Sequence, residues 1–239
     1  MTPARPAPAQ DPRVNVTRLP NGLRIVSESM DPLATVAVGI WIRCGSRDER
    51  DDEHGLAHLI EHMAFKGTKT RSARQIVEEI ENVGGDLNAE TTAETTAYFA
   101  RVLKDDLPLA FDILADLVTN PLFDDQDLQR EKDVVLQEIA STEDNPEDLV
   151  FDLFMQCAFP DHALGRPILG SPESLKAFTP AHLHGFVKRH YHPAQMVVAA
   201  TGAVDHATLV ALAEKALGGF PQQETCLLYT SPSPRDLST

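Results

Sequence analysis

The run His58-Leu59-Ile60-Glu61-His62 sets two imidazoles four residues apart. On a helix that separation puts them one turn apart on the same face, close enough to bind one metal ion together. Neutral imidazole is a favoured zinc ligand. A carboxylate beside the pair, on Glu61, can take a proton from water whose pKa a bound ion has lowered towards 7. The order His-x-x-Glu-His inverts the commoner His-Glu-x-x-His. A catalytic zinc site also needs a third protein ligand and keeps one position open. Glu131 and Glu138 are candidates: they lie seven residues apart, on nearly one face of a helical stretch that also carries Val134 and Val135. Considered alone, such a pair is ordinarily a solvated stripe.

Other elements must hold these side chains in place. Leu56, Leu59, Ile60 and Met63 recur at helical spacing between Gly55 and Phe65. Asp51, Asp52 and Glu53 fall where a helix N-terminus favours negative charge. Ser72 with Gln75 forms a capping-box pattern that opens a helix with Ile76, Val77, Ile80 and Val83 on one face, ended by Gly84 and Gly85. Helical patterns follow at Asp105 to Thr119, at Asp124 to Thr142 after the Pro121 break, and from Asn145-Pro146 through Cys157. Two more lie at Thr179 to Tyr191 and Asp205 to Leu217, and Phe159 to Pro172 reads as irregular. Period-two segments at Leu23 to Ser27, Thr35 to Arg43, Asp86 to Lys104 and Met196 to Thr201 read as strands. The first two look like neighbours joined through Asp31 and Pro32. Together these predict an α+β fold, a mainly antiparallel sheet with helices packed on one face.

The 239 residues carry 36 acidic against 21 basic side chains, a net charge of −15. That balance argues against nucleic acid or an anionic membrane surface as partner, and no apolar run reaches the roughly 20 residues that span a bilayer. Three widely spaced cysteines, Cys44, Cys157 and Cys226, suggest neither a disulfide framework nor a thiolate metal site. A reducing compartment fits best. Residues 1–14, rich in Pro and Ala and without an apolar core segment, read as a disordered arm and not as a secretory signal.

HLIEHMAFKGT at His58 to Thr68 resembles the pitrilysin and mitochondrial processing peptidase family of zinc metallopeptidases, the inverzincins, and its processing-peptidase branch in particular. LPNGLRIVSE from Leu19, WIRCGSRDE from Trp41, GGDLNAETTAETTAYFA from Gly84, REKDVVLQEI from Arg130 and HYHPAQMVVAATGAVDH from His190 are similar to family segments in the same order. The resemblance implies His58, His62 and Glu138 as ligands of one zinc ion, Glu138 standing 76 residues after His62. It implies Glu61 as the general base and Glu131 as a residue that orients or tunes the site. Asn88 and Ala89 would lie on the edge where a substrate peptide adds as a strand, with Glu90 where related sequences often carry an aromatic. The implied activity is endoproteolysis of unfolded peptides or presequence-like segments. His182, His184, His190 and His192 form His-x-His pairs that do not share a helical face and have no expected metal role.

Family members of this branch have about twice this length, with a second related domain closing over the peptide, and they work as homodimers or paired with a related subunit. The expected organisation is therefore an arm at 1–14, a metallopeptidase N-terminal domain at 15–221, and a linker start with an adapter-like, non-native tail at 222–239. The chain is expected to be a truncated first half lacking its C-terminal domain. A bacterial cytoplasm is the expected location, with the mitochondrial matrix as alternative. The rival reading is a non-catalytic processing-peptidase-like subunit acting as a substrate-binding or assembly scaffold. Such relatives lose part of the His-x-x-Glu-His set or the distant Glu, whereas this chain keeps all four residues.

Overall fold

The computed structural model describes residues 13–220; the expected arm, apart from its last two residues, and the adapter-like tail lie outside them. The strands are β1 (Val14–Arg18), β2 (Arg24–Ser29), β3 (Thr35–Ile42), β4 (Asp86–Thr91), β5 (Thr96–Leu103) and β6 (Met196–Gly202). The α-helices are α1 (Leu56–Ala64), α2 (Ala73–Glu81), α3 (Leu107–Thr119), α4 (Asp125–Asp144), α5 (Pro146–Ala158), α6 (Pro172–Ala177), α7 (Pro180–His190) and α8 (His206–Leu217). All six strands join one sheet in the order β1-β2-β6-β3-β5-β4. Only β2 and β6 run parallel; the other pairings are antiparallel. The α+β architecture expected from the sequence is the one observed.

Alternation explains the core. Ile25, Val36, Val38, Ile40, Ile42, Tyr98, Ala100, Val102 and Val198 are buried on the helix-covered face, where they meet Phe111, Leu114 and Val118 of α3 and Leu209 and Ala213 of α8. β2 and β3 are not neighbours as expected, because β6 lies between them. β6 buries Val198 and Ala200 and half-buries Val197 and Ala199. A strand apolar on both faces belongs in the sheet interior, and its partners are remote in sequence, beyond the reach of any local pattern. Two further elements went unread: β1, whose Val14 pairs with Glu28 and Val16 with Val26, and the short α6 after the irregular segment.

Local chemistry sets the helix ends. The Ser72 side chain accepts the Gln75 N–H and Asn145 accepts that of Glu147, with Pro146 in the first turn, as the sequence indicates. α1 begins differently. Gly55 precedes it at φ +90°, and a Cβ there would stand 2.6 Å from the Gly170 Cα, so glycine is required. The carboxylate at the α1 N-terminus is Glu49, which accepts from Gly55 N–H at 3.0 Å and Ala57 N–H at 2.8 Å. Asp51, Asp52 and Glu53 form a short 3-10 turn ahead of the helix, and Glu53 pairs with Arg189.

The turn leaving α1 is anchored by buried Asp116 of α3, which accepts from Thr68 Oγ1, Thr70 Oγ1, Asn120 Nδ2 and Arg71 Nη1. Burial raises the Asp116 pKa, but these donors outweigh it and hold the carboxyl below its ordinary value. Its stabilisation is therefore present above the unfolded pKa near 3.8 and is lost as pH falls through the lower folded value. Asp116→Ala is expected to cost about 3 kcal/mol. Thermal unfolding at pH 7 should show a fall in Tm of roughly 2–4 °C per kcal/mol, narrowing below pH 4; an unchanged Tm at pH 7 contradicts the anchoring role.

Candidate metal centre

α1 is buried through Leu56, Ala57, Leu59, Ile60, Met63 and Ala64, so the helix has little freedom to rotate. The opposite stripe carries His58 and His62 towards α4, where Glu131 and Glu138 face them. His58 Nε2 lies 3.7 Å and His62 Nε2 3.5 Å from the same Glu138 oxygen, Oε2. The two imidazole rings stand edge to face, with centroids 4.6 Å apart. Among the described residues, His58, His62 and Glu138 are the group of His, Cys, Asp or Glu side chains that converges as metal ligands, their ligand atoms all within 4.8 Å of one another.

Around this group the polar atoms are arranged by role. The Nδ1–H of His62 donates to Glu131 Oε2 at 3.2 Å, which leaves the Nε2 lone pair for the side facing Glu138. Burial, with the neighbouring His62, pushes the His58 pKa down to about 4, so its imidazole is neutral at pH 7 and ready to donate a lone pair. Burial also raises the Glu61 carboxyl pKa, reinforced by the Glu138 and Glu90 charges and opposed by the Thr91 hydroxyl and His62. Glu61 is not among the three converging ligands.

This donor set fits zinc. In a tetrahedron with bonds of about 2.1 Å, ligand atoms stand roughly 3.4 Å apart, close to the two nitrogen–oxygen separations observed. Glu61 Oε2 is buried without a hydrogen-bond partner, so the pocket carries polar demand that the protein alone does not meet. Glu138 is half-exposed, which keeps one side of the cluster open.

Of the expected substrate residues, Asn88 and Ala89 sit on β4, which among the described residues pairs with β5 alone, at the end of the sheet. Ala89 N–H donates to Asn88 Oδ1 at 2.9 Å. Three of the other histidines are in different surroundings: His182 bonds Thr179 at the start of α7, His184 packs tilted against Phe123 and His190 against Phe186. The sequence reading missed Lys66, whose Nζ lies 2.7 Å from Glu131 Oε1. Its signal was available: positions 58, 62 and 66 advance by four and share one helical face.

In this α+β domain a paired-histidine helix packs on a glutamate-bearing helix and brings together three residues able to hold a metal ion. Residues 24–172, which hold all four motif residues, match the family model of insulinase, peptidase family M16, and residues 177–238 match that of the peptidase M16 inactive domain. The chain belongs to peptidase family M16. The second match begins within this fold, since β6 completes the sheet. An "Uncharacterized zinc protease" of Mycobacterium tuberculosis is 48% identical over 217 residues, covering 91% of this chain and 49% of the relative. The protein named "Probable mitochondrial-processing peptidase subunit beta" of Arabidopsis thaliana is 44% identical, covering 85% of this chain and 38% of its own. The periplasmic protease PqqL of Escherichia coli superposes with a TM-score of 0.85 at 26% identity, over 95% of this chain and 26% of that one. The chain thus spans about half the length, or less, of these relatives.

Proposed function

We propose that this chain is the zinc-binding part of a metalloendopeptidase that hydrolyses unfolded peptides or presequence-like segments. The observation that carries this reading is the convergence of His58, His62 and Glu138 at one point beside Glu61. His58, His62 and Glu138 would hold one zinc ion, which when bound acts as a Lewis acid on water and on the scissile carbonyl. Glu61 takes the proton from the attacking water and returns it to the departing amine. Its burial favours holding that proton, and the unpartnered Oε2 is free to receive it. Glu131 fixes the ring orientation of His62 from behind the ligands.

The edge of β4 offers main-chain groups to an extended substrate, which gives affinity with little sequence preference. Asn88 Oδ1 already occupies the Ala89 N–H, so a peptide pairing there displaces this side chain. Residues 15–221 act as one domain in this reading. A second half of similar size supplies the opposing wall, and the assembly is a homodimer or a pair with a related subunit. No helix among the described residues is long and apolar enough to cross a membrane. A bacterial cytoplasm remains our location for it, the mitochondrial matrix the alternative.

The test is cleavage of an internally quenched peptide by the chain carried to the full length of its relatives. Hydrolysis should stop when a chelator removes the metal and return with zinc. The 239-residue chain alone should be slower by about a hundredfold, the loss that misplacing a substrate by about 1 Å can cause. A full-length protein that binds the peptide and never cleaves it would instead support the scaffold reading.

A further inference from the structure

We infer that Lys66 is a positioning residue for the metal centre: it clamps one oxygen of Glu131 so that the other is held against His62. The inference rests on the reading that His58, His62 and Glu138 bind zinc. Glu131 is buried, and a buried carboxylate is costly unless it is paired and hydrogen-bonded. Among the described residues its carboxylate accepts from His62 Nδ1 through Oε2 at 3.2 Å and pairs with the Lys66 ammonium through Oε1 at 2.7 Å. The carboxylate therefore bridges the ammonium and the imidazole, and each contact fixes the plane in which the other is made.

Lys66 is itself well placed to hold that geometry. It comes just past α1, after the capping residue Phe65, and its N–H donates to Met63 O at 3.2 Å. The next turn is pinned by Thr68 and Thr70 on Asp116. A cation just past a helix C-terminus also gains from the helix dipole. Lys132, next to Glu131 in sequence, cannot take over, because its Nζ donates to Phe178 O at 2.6 Å and to Lys176 O at 3.3 Å. An exposed ion pair contributes little, but this one has a buried member that touches a ligand histidine. Partners behind metal-binding histidines typically govern 10- to 100-fold in metal affinity.

The experiment measures zinc affinity by chelator competition on the 239-residue chain, with thermal unfolding of each metal-free variant alongside. Lys66→Met and Lys66→Gln are expected to weaken zinc binding by about 10- to 100-fold, while Lys66→Arg, which keeps the charge, stays close to wild type. In a Glu131→Gln background, Lys66→Met should weaken binding no further, because the clamp has nothing left to hold. A purely structural lysine would lower the metal-free Tm and leave the zinc affinity of the folded chain unchanged. Wild-type affinity in Lys66→Met, or an equal loss with and without Glu131, overturns the inference while the zinc reading stands. A wild-type chain that binds no zinc overturns both.

Discussion

Glu61→Gln in the full-length protein is expected to keep one zinc ion per chain and to lose peptide hydrolysis by a hundredfold or more. The amide has the shape of the carboxylate and sits on a helix whose other face is packed into the core through Leu59, Ile60 and Met63, so the backbone has no reason to move. His58, His62 and Glu138 keep their donors, and metal content should be unchanged. What disappears is the group that accepts a proton. General-base catalysis ordinarily contributes about 10²- to 10⁴-fold, and the acidic residues facing the two histidines are otherwise engaged, Glu138 in the ligand cluster and Glu131 with His62 and Lys66. Steady-state rates on a quenched peptide, read beside metal content, check this. Near-normal turnover by the variant would remove Glu61 from the base role.

The centre was legible in sequence to the extent that helix geometry determines it. Four-residue steps fix His58 and His62 on one face, and a seven-residue step nearly does the same for Glu131 and Glu138. That α4 docks against α1 has no local signature; helix spacing offered Glu131 and Glu138 alike, and the family-like segments singled out Glu138. The same limit explains β6. Its apolar run was readable as a strand, but its place between β2 and β3 depends on pairings with residues more than 150 positions away. Glu49 shows a subtler failure, because the acidic run Asp51 to Glu53 occupied the expected position at the α1 N-terminus. The chain makes a 3-10 turn there, and the carboxylate that reaches the helix N–H groups comes from further back. β1 went unread because its alternation of Val14 and Val16 with polar residues is short and adjoins the Pro- and Ala-rich arm.

His62→Ala should abolish zinc binding. The substitution removes one of three protein ligands, leaves Glu138 with a single imidazole neighbour, and strands the Glu131 carboxylate with Lys66 alone. Two remaining donors on separate helices have little hold on the ion against a competitor. The most direct measurement is zinc stoichiometry of the 239-residue chain and of His62→Ala, dialysed side by side against a chromophoric chelator of known affinity. One zinc per wild-type chain and none in the variant is the result expected of a centre built from His58, His62 and Glu138; stoichiometric zinc retained by His62→Ala, or none held by the wild type, would contradict it.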